Sequence, residues 1–228
     1  MQLKGGKRGA PPCPLARSGQ CRAMAGSTFI AANGLVIGVD EAGRGPLAGP
    51  VVAAACVLGA GAPEGLDDSK KLSAKRRAQL EPLIRQSCHW TLGVADPEEI
   101  DRINIFAATM LAMTRAVSAL VEALGMEPDE VLIDGNKTPA GRVPQWRWQA
   151  RAIVSGDGLV PCISAASILA KEHRDRLMRE AARAHPHYGW DRNMGYPTAE
   201  HQEALRCHGP SPLHRKSFKP VAQLTLFD

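Results

Sequence analysis

At 228 residues, 44% of them hydrophobic, the chain is long enough to bury one core of ordinary domain size. Aromatics make up only 4%, so that core must be built mainly from Val, Ile, Leu and Ala. A net charge of +5 suits a polyanionic partner; the 6 cysteines form no C-x-x-C pair and fit a reducing cytoplasm, and no uninterrupted apolar run suggests a membrane span.

Residues 1–33 are basic, rich in Gly and Pro and free of acids. They lack the apolar centre of a secretory signal and read as a disordered tail, with Met24 as an alternative start. Residues 34–221 read as one α/β domain and residues 222–228 as a C-terminal tail. Leu35 to Asp40 and Pro50 to Leu58 are predicted strands, joined by a Gly-rich turn into a hairpin. Ser73 looks like an N-cap for a helix over Ala74 to Arg85, and Trp90 to Ala95 is a third strand. Asp96-Pro97-Glu98-Glu99 is a helix start, with helix resuming after Asn104, running to Leu124 and stopped by Gly125. Val131 to Asp134 is a short strand, Trp146 to Val154 another, Ile163 to Ala184 a long helix and Thr198 to Cys207 a further one. Hairpin strands followed by strands alternating with helices predict a mixed sheet with helices on its faces. Cys56, Cys88 and Cys162 lie in apolar stretches and read as small buried hydrophobes.

Acids recur at the predicted strand ends: Asp40-Glu41, Asp134 and Asp157. One such acid is an ordinary turn residue; the recurrence suggests a site, because α/β sheets gather their sites at strand ends. Several converging carboxylates would repel one another unless a hard cation such as Mg²⁺ joined them. Phosphodiester hydrolysis by two ions roughly 3.5–4 Å apart uses such a set. Adjacent strand residues point to opposite faces, so convergence of Asp40 and Glu41 requires the strand to end or bulge there.

With these segments in view, the chain resembles the ribonuclease HII (type 2 ribonuclease H) family from Leu35 to Val221. The resemblance is carried by Val39-Asp40-Glu41-Ala42-Gly43-Arg44-Gly45, Asp68-Ser69-Lys70-Lys71-Leu72-Ser73, Asn104-Ile105-Phe106 and Ile133-Asp134-Gly135. It continues through Gly156-Asp157, Ser164 to Lys171, Arg174-Asp175, Gly195-Tyr196-Pro197-Thr198 and His214-Arg215-Lys216-Ser217-Phe218. It implies an RNase H-like α/β fold: a mixed five-stranded sheet flanked by helices, with a C-terminal helical extension. It implies hydrolysis of the RNA strand of RNA–DNA hybrids, and incision 5′ of single ribonucleotides in duplex DNA, leaving 3′-hydroxyl and 5′-phosphate ends. Ribonucleotide excision repair and RNA primer removal are the corresponding roles.

On the same resemblance, Asp40, Glu41, Asp134 and Asp157 match the catalytic carboxylates. Asp40 would bridge two Mg²⁺ or Mn²⁺ ions, Glu41 and Asp134 would complete the main shell, and Asp157 would serve the second ion. Gly43, Arg44 and Gly45 would read the 2′-hydroxyl through backbone groups. Tyr196 would stack on the deoxyribose just downstream. Lys70, Lys71, Lys171 and Arg174 are expected to face phosphates, a solvated surface charge being the alternative for each.

Competing readings are a non-catalytic hybrid-binding module of the same fold and a dinucleotide site. Gly43-Arg44-Gly45-Pro46-Leu47-Ala48 fits G-x-G-x-x-A, but that fingerprint needs a helix beginning inside it. His185-Pro186-His187 lacks partners for a zinc site, and His214 reads as structural or peripheral to the site. The tail Gln223-Leu224-Thr225-Leu226-Phe227 resembles the peptide by which bacterial proteins dock on the replication sliding clamp, with Leu226 and Phe227 as anchors; packing on the domain is the alternative. A cytoplasmic monomer is the expected state.

Overall fold

A computed structural model describes residues 34–224. Strands β1 (Val36–Ala42), β2 (Val51–Val57) and β3 (His89–Ala95) form an antiparallel meander. β4 (Glu130–Asp134) and β5 (Ala150–Ile153) join parallel to β1, giving the order β3-β2-β1-β4-β5. Every residue of β2 is buried, because the sheet is covered on both faces. The period of two assigns the faces. Ile37, Val39, Ala53, Ala55 and Ile133 pack with Met113, Val117 and Leu120 of α2 (Pro97–Leu124). Val52, Ala54 and Cys56 face Leu80 and Ile84 of α1 (Ala74–Ser87), and Ala165, Ile168 and Leu169 of α3 (Pro161–Ala184). Gly38 lets α3 lie directly on β1, since a Cβ there would collide with the Cys162–Ile163 backbone.

The predicted helix signals form as expected. Ser73 caps α1 by accepting from the Arg76 amide, and Asp96 and Glu99 form a reciprocal capping box on α2. Asn104 interrupts α2 with φ 66°, and its side chain recaps the continuing helix at Phe106 and Ala107. By length and composition α2 could cross a membrane; its apolar residues instead pack in the core against the sheet. No helix starts in residues 43–50, which bend directly into β2, and this removes the dinucleotide reading.

One strand is shorter than predicted. Trp146 to Gln149 lie outside β5, because the Trp146 indole N–H donates to the Trp148 carbonyl at 2.8 Å and curls the segment. The two rings meet edge to face at 5.2 Å in the α2-side core. Beyond α3, the short α4 (Trp190–Asn193), α5 (Ala199–His208) and α6 (Lys219–Ala222) form the C-terminal extension. Tyr188, Trp190, Leu205 and Val221 pack there against Met178 of α3 and Leu47-Ala48 of the β1–β2 connection. That packing brings Tyr196 beside the glycine turn.

Candidate active site

Asp40 and Asp134 converge because of strand register. Val39 pairs with Ile133 in the parallel β1–β4 ladder, so the next residues, Asp40 and Asp134, are neighbours on the α3 face. Asp157 reaches them from a single helical turn (Gly156–Gly158) after β5, and its amide donates to Asp134 Oδ1 at 3.3 Å. Asp40, Asp134 and Asp157 each offer an oxygen, and the three lie within 4.8 Å of one another.

Glu41 stands outside that trio. β1 neither ends nor bulges at Glu41: its pairing with β2 stays in register through Ala42↔Val52. Alternation therefore puts Glu41 on the face of Ile37 and Val39, where its carboxylate meets Arg44 at 3.6 Å. The Asp134 charge still acts on it, so Glu41 borders the trio.

The site's electrostatics favour a cation. Burial, then the charges of Glu41 and Asp134, push Asp40 well above the usual carboxylate range, against hydrogen bonds from Ser167 and the Glu41 amide. Burial, then Asp134 and Asp68, raise Asp157. Burial also raises Glu41, with Arg44 opposing. Lys70, largely exposed, stands 3.7 Å from Asp157 Oδ2. Burial alone would lower its pKa, but Asp40, Asp157, Asp68 and Asp134 together raise it. An all-oxygen donor set in which burial and neighbouring charges disfavour the anionic forms of Asp40 and Asp157 suits a hard divalent cation.

The glycine turn is held by two buried arginines. Gly43 has φ 102°, and a Cβ there would strike Arg174. Arg174 is 1% exposed and donates to the carbonyls of Pro50, Met194 and Ala48 at 3.1, 3.0 and 3.0 Å. Arg215, fully buried, donates to Gly49, Arg44, Pro46 and Gly43 at 2.9, 3.0, 2.7 and 2.6 Å. Tyr196 is 43% exposed, and a Cβ on Gly45 would come within 3.6 Å of its ring. Arg215 is a positioning residue that sequence reasoning did not single out, although it sits in the His214-Arg215-Lys216 segment. A charged residue in a polar stretch carries no local signal of burial.

One expected phosphate contact is corrected. Arg174 spends its donors on the main chain and does not face solvent. Lys171 is paired with Asp175 at 2.6 and 2.7 Å. Asp175 also lies 3.9 Å from Arg77, which bonds Glu172 at 2.8 Å and the carbonyls of Ser69 and Leu72. These α3 residues anchor the loop that carries Lys70. Lys70 and Lys71 remain exposed beside the site, Lys71 3.8 Å from Asp67. His214 is buried and hydrogen-bonded to Ser211. In the tail, Gln223 is exposed, Leu224 packs partly against the C-terminal cluster, and Leu226 and Phe227 lie outside the described residues.

Fold and cluster together define a hydrolase architecture of the kind that handles phosphodiesters through divalent cations. The sequence profile described as Ribonuclease HII matches residues 37–221. A ribonuclease HII of Novosphingobium aromaticivorans is 71% identical over 194 residues, covering 84% of this chain and 99% of that protein. Two solved structures share the fold. One is ribonuclease HII of Archaeoglobus fulgidus in its complex with PCNA, with 24% identity, TM-score 0.65 and coverage of 81% of this chain and 95% of that one. The other is Bst-RNase HIII in complex with Mn²⁺, with 21% identity, TM-score 0.68 and coverage of 85% and 70%. The chain belongs to the ribonuclease HII family. It is a ribonuclease H, an endonuclease that hydrolyses RNA in RNA–DNA hybrids.

Proposed function

We propose that this enzyme incises 5′ of single ribonucleotides embedded in duplex DNA, as well as cutting longer hybrids, with Mg²⁺ or Mn²⁺ held by Asp40, Asp134 and Asp157. The observation that carries the reading is a carboxylate trio at the end of β1 and β4, with the glycine turn that follows β1 lying against an exposed tyrosine. When bound, the ions supply Lewis-acid neutralisation of the phosphate and an acidified water. The protein supplies the rest. Asp40, Asp134 and Asp157 would hold the ions, and Glu41, tied to Arg44, completes the anionic rim. Backbone groups of Gly43, Arg44 and Gly45 meet the 2′-hydroxyl, which both donates and accepts. The Tyr196 ring stacks on the following deoxyribose, and Lys70 meets a phosphate.

The test is cleavage-site mapping on a duplex containing one ribonucleotide, with Mg²⁺ or Mn²⁺. A nick on its 5′ side leaving a 5′-phosphate is expected; cutting restricted to runs of ribonucleotides would overturn the reading. Ribonucleotide excision repair and primer removal in the cytoplasm, by a monomer, are the corresponding roles. Docking on the bacterial sliding clamp through Gln223, Leu224, Leu226 and Phe227 is part of the same proposal, supported by the sequence of the tail. Replacing Leu226 and Phe227 with Ala should abolish clamp pull-down while leaving cleavage in free solution intact; an undiminished pull-down would remove the docking role.

A further inference from the structure

Beneath Tyr196 lies a pair of histidines for which the cleavage reading has no use. His201 is fully buried and His214 is 1% exposed. Their Nε2 atoms meet at 3.1 Å, which requires one to donate and the other to accept. The neighbours decide which. The Trp190 indole N–H, a donor only, meets His201 Nε2 at 3.0 Å. The Ser211 backbone N–H, also a donor only, meets His214 Nδ1 at 2.9 Å. His201 Nε2 and His214 Nδ1 must therefore both accept, and each ring is neutral with its proton on the other nitrogen. His214 Nε2–H donates to His201, and His201 Nδ1–H donates to the carbonyl of Tyr196 at 2.9 Å. Burial favours the neutral rings, holding His201 low and His214 at about 3.

The hydrogen-bond chain thus runs from Ser211 through both imidazoles to the main chain of Tyr196. Its inner end is tied to the other recognition element. His214 forms a bridge with Ala48, and the next residue, Arg215, grips the carbonyls of Gly43 and Arg44. The Leu47 amide in turn donates to the Gly195 carbonyl at 2.8 Å. One short segment, His214-Arg215, therefore sets the glycine turn directly and the tyrosine through His201.

We propose that His201 and His214 are positioning residues for junction recognition, a buried imidazole pair that fixes Tyr196 against the Gly43–Gly45 turn. The inference rests on the proposed role of Tyr196, and the experiment separates the two. The readout is the ratio of kcat/KM on a one-ribonucleotide duplex to kcat/KM on a uniform RNA–DNA hybrid. Tyr196→Ala sets the scale: an unchanged ratio would overturn the reading of Tyr196 itself. His201→Gln places its amide where Nε2 stood and abandons the Tyr196 carbonyl, whereas His201→Asn keeps an N–H near the Nδ1 position. The ratio should fall about tenfold in His201→Gln, as for one lost hydrogen bond. It should recover to within about threefold of the parent in His201→Asn, and it should not fall further when His201→Gln is added to Tyr196→Ala. An equal loss on both substrates, no recovery with Asn, or an additive loss in the double variant would overturn the inference while Tyr196→Ala still moved the ratio. If His201→Gln does not fold, His214→Asn against His214→Gln repeats the comparison one bond away, because only Gln keeps the donor to His201; equal ratios in that pair would also overturn it.

Discussion

The active site holds two sets of buried charged groups that behave oppositely. The trio Asp40, Asp134 and Asp157 brings like charges together, and Asp40 is almost fully buried. Arg174 and Arg215 are also buried and carry charge of one sign, but seven backbone carbonyls satisfy them. Desolvation lowers Arg174 to about 10 and Arg215 to about 9, so both stay protonated at neutral pH. The acids are left needing a cation, whereas the guanidinium groups need nothing further. Unmet electrostatic demand marks where chemistry is done; met demand marks what holds the substrate-reading turn in place.

The largest expected effect breaks this comparison from both sides. Asp134→Asn should lower cleavage at least about 100-fold, the scale for removing one electrostatic group from a desolvated site, with hybrid affinity and Tm retained. Arg215→Met should do the reverse at first order, leaving four carbonyls without their donor and costing about 3 kcal/mol of stability in urea unfolding. A stable Arg215→Met protein would show that the turn does not depend on that grip.

A second, smaller effect sharpens the acid side. An acid whose folded pKa is raised binds its proton more tightly in the native state than in the unfolded one. Its contribution to stability therefore falls as pH rises from its ordinary value of 3.8 through the raised one. Asp40→Asn removes that penalty, so the metal-free variant should melt about 3 °C above the parent at neutral pH, with the gap closing below pH 3.8. Added Mn²⁺ should raise the parent's Tm and not the variant's. A variant that melts below its parent at neutral pH would contradict the charge repulsion argued for the trio.

The smallest effect separates solvent-facing from anchored cations. Lys70→Gln should reduce the slope of log affinity for hybrid against log salt by about 0.9, as for one phosphate contact. Lys171→Gln should leave the slope alone, because its ammonium is already held by Asp175. Equal slopes in the two variants would erase the distinction.

The sequence by itself determined the elements and most of the site's membership. Short apolar strands bounded by turns, the Ser73 and Asp96 caps and the break at Asn104 are local effects, set by backbone and neighbouring side chains within a turn or two. The carboxylates at strand ends were legible for the same reason, together with the order of the motifs. Tertiary structure alone decided which acids bring their oxygens together, because the β1–β4 register puts Asp40 beside Asp134 while Glu41, on the regular strand, only borders the trio. It also decided that Arg174, Arg215 and His214 are internal and that Lys171 is paired with Asp175. A charged or titratable side chain carries no local mark of burial, and only the carbonyls, carboxylates and rings brought from distant parts of the chain give it partners.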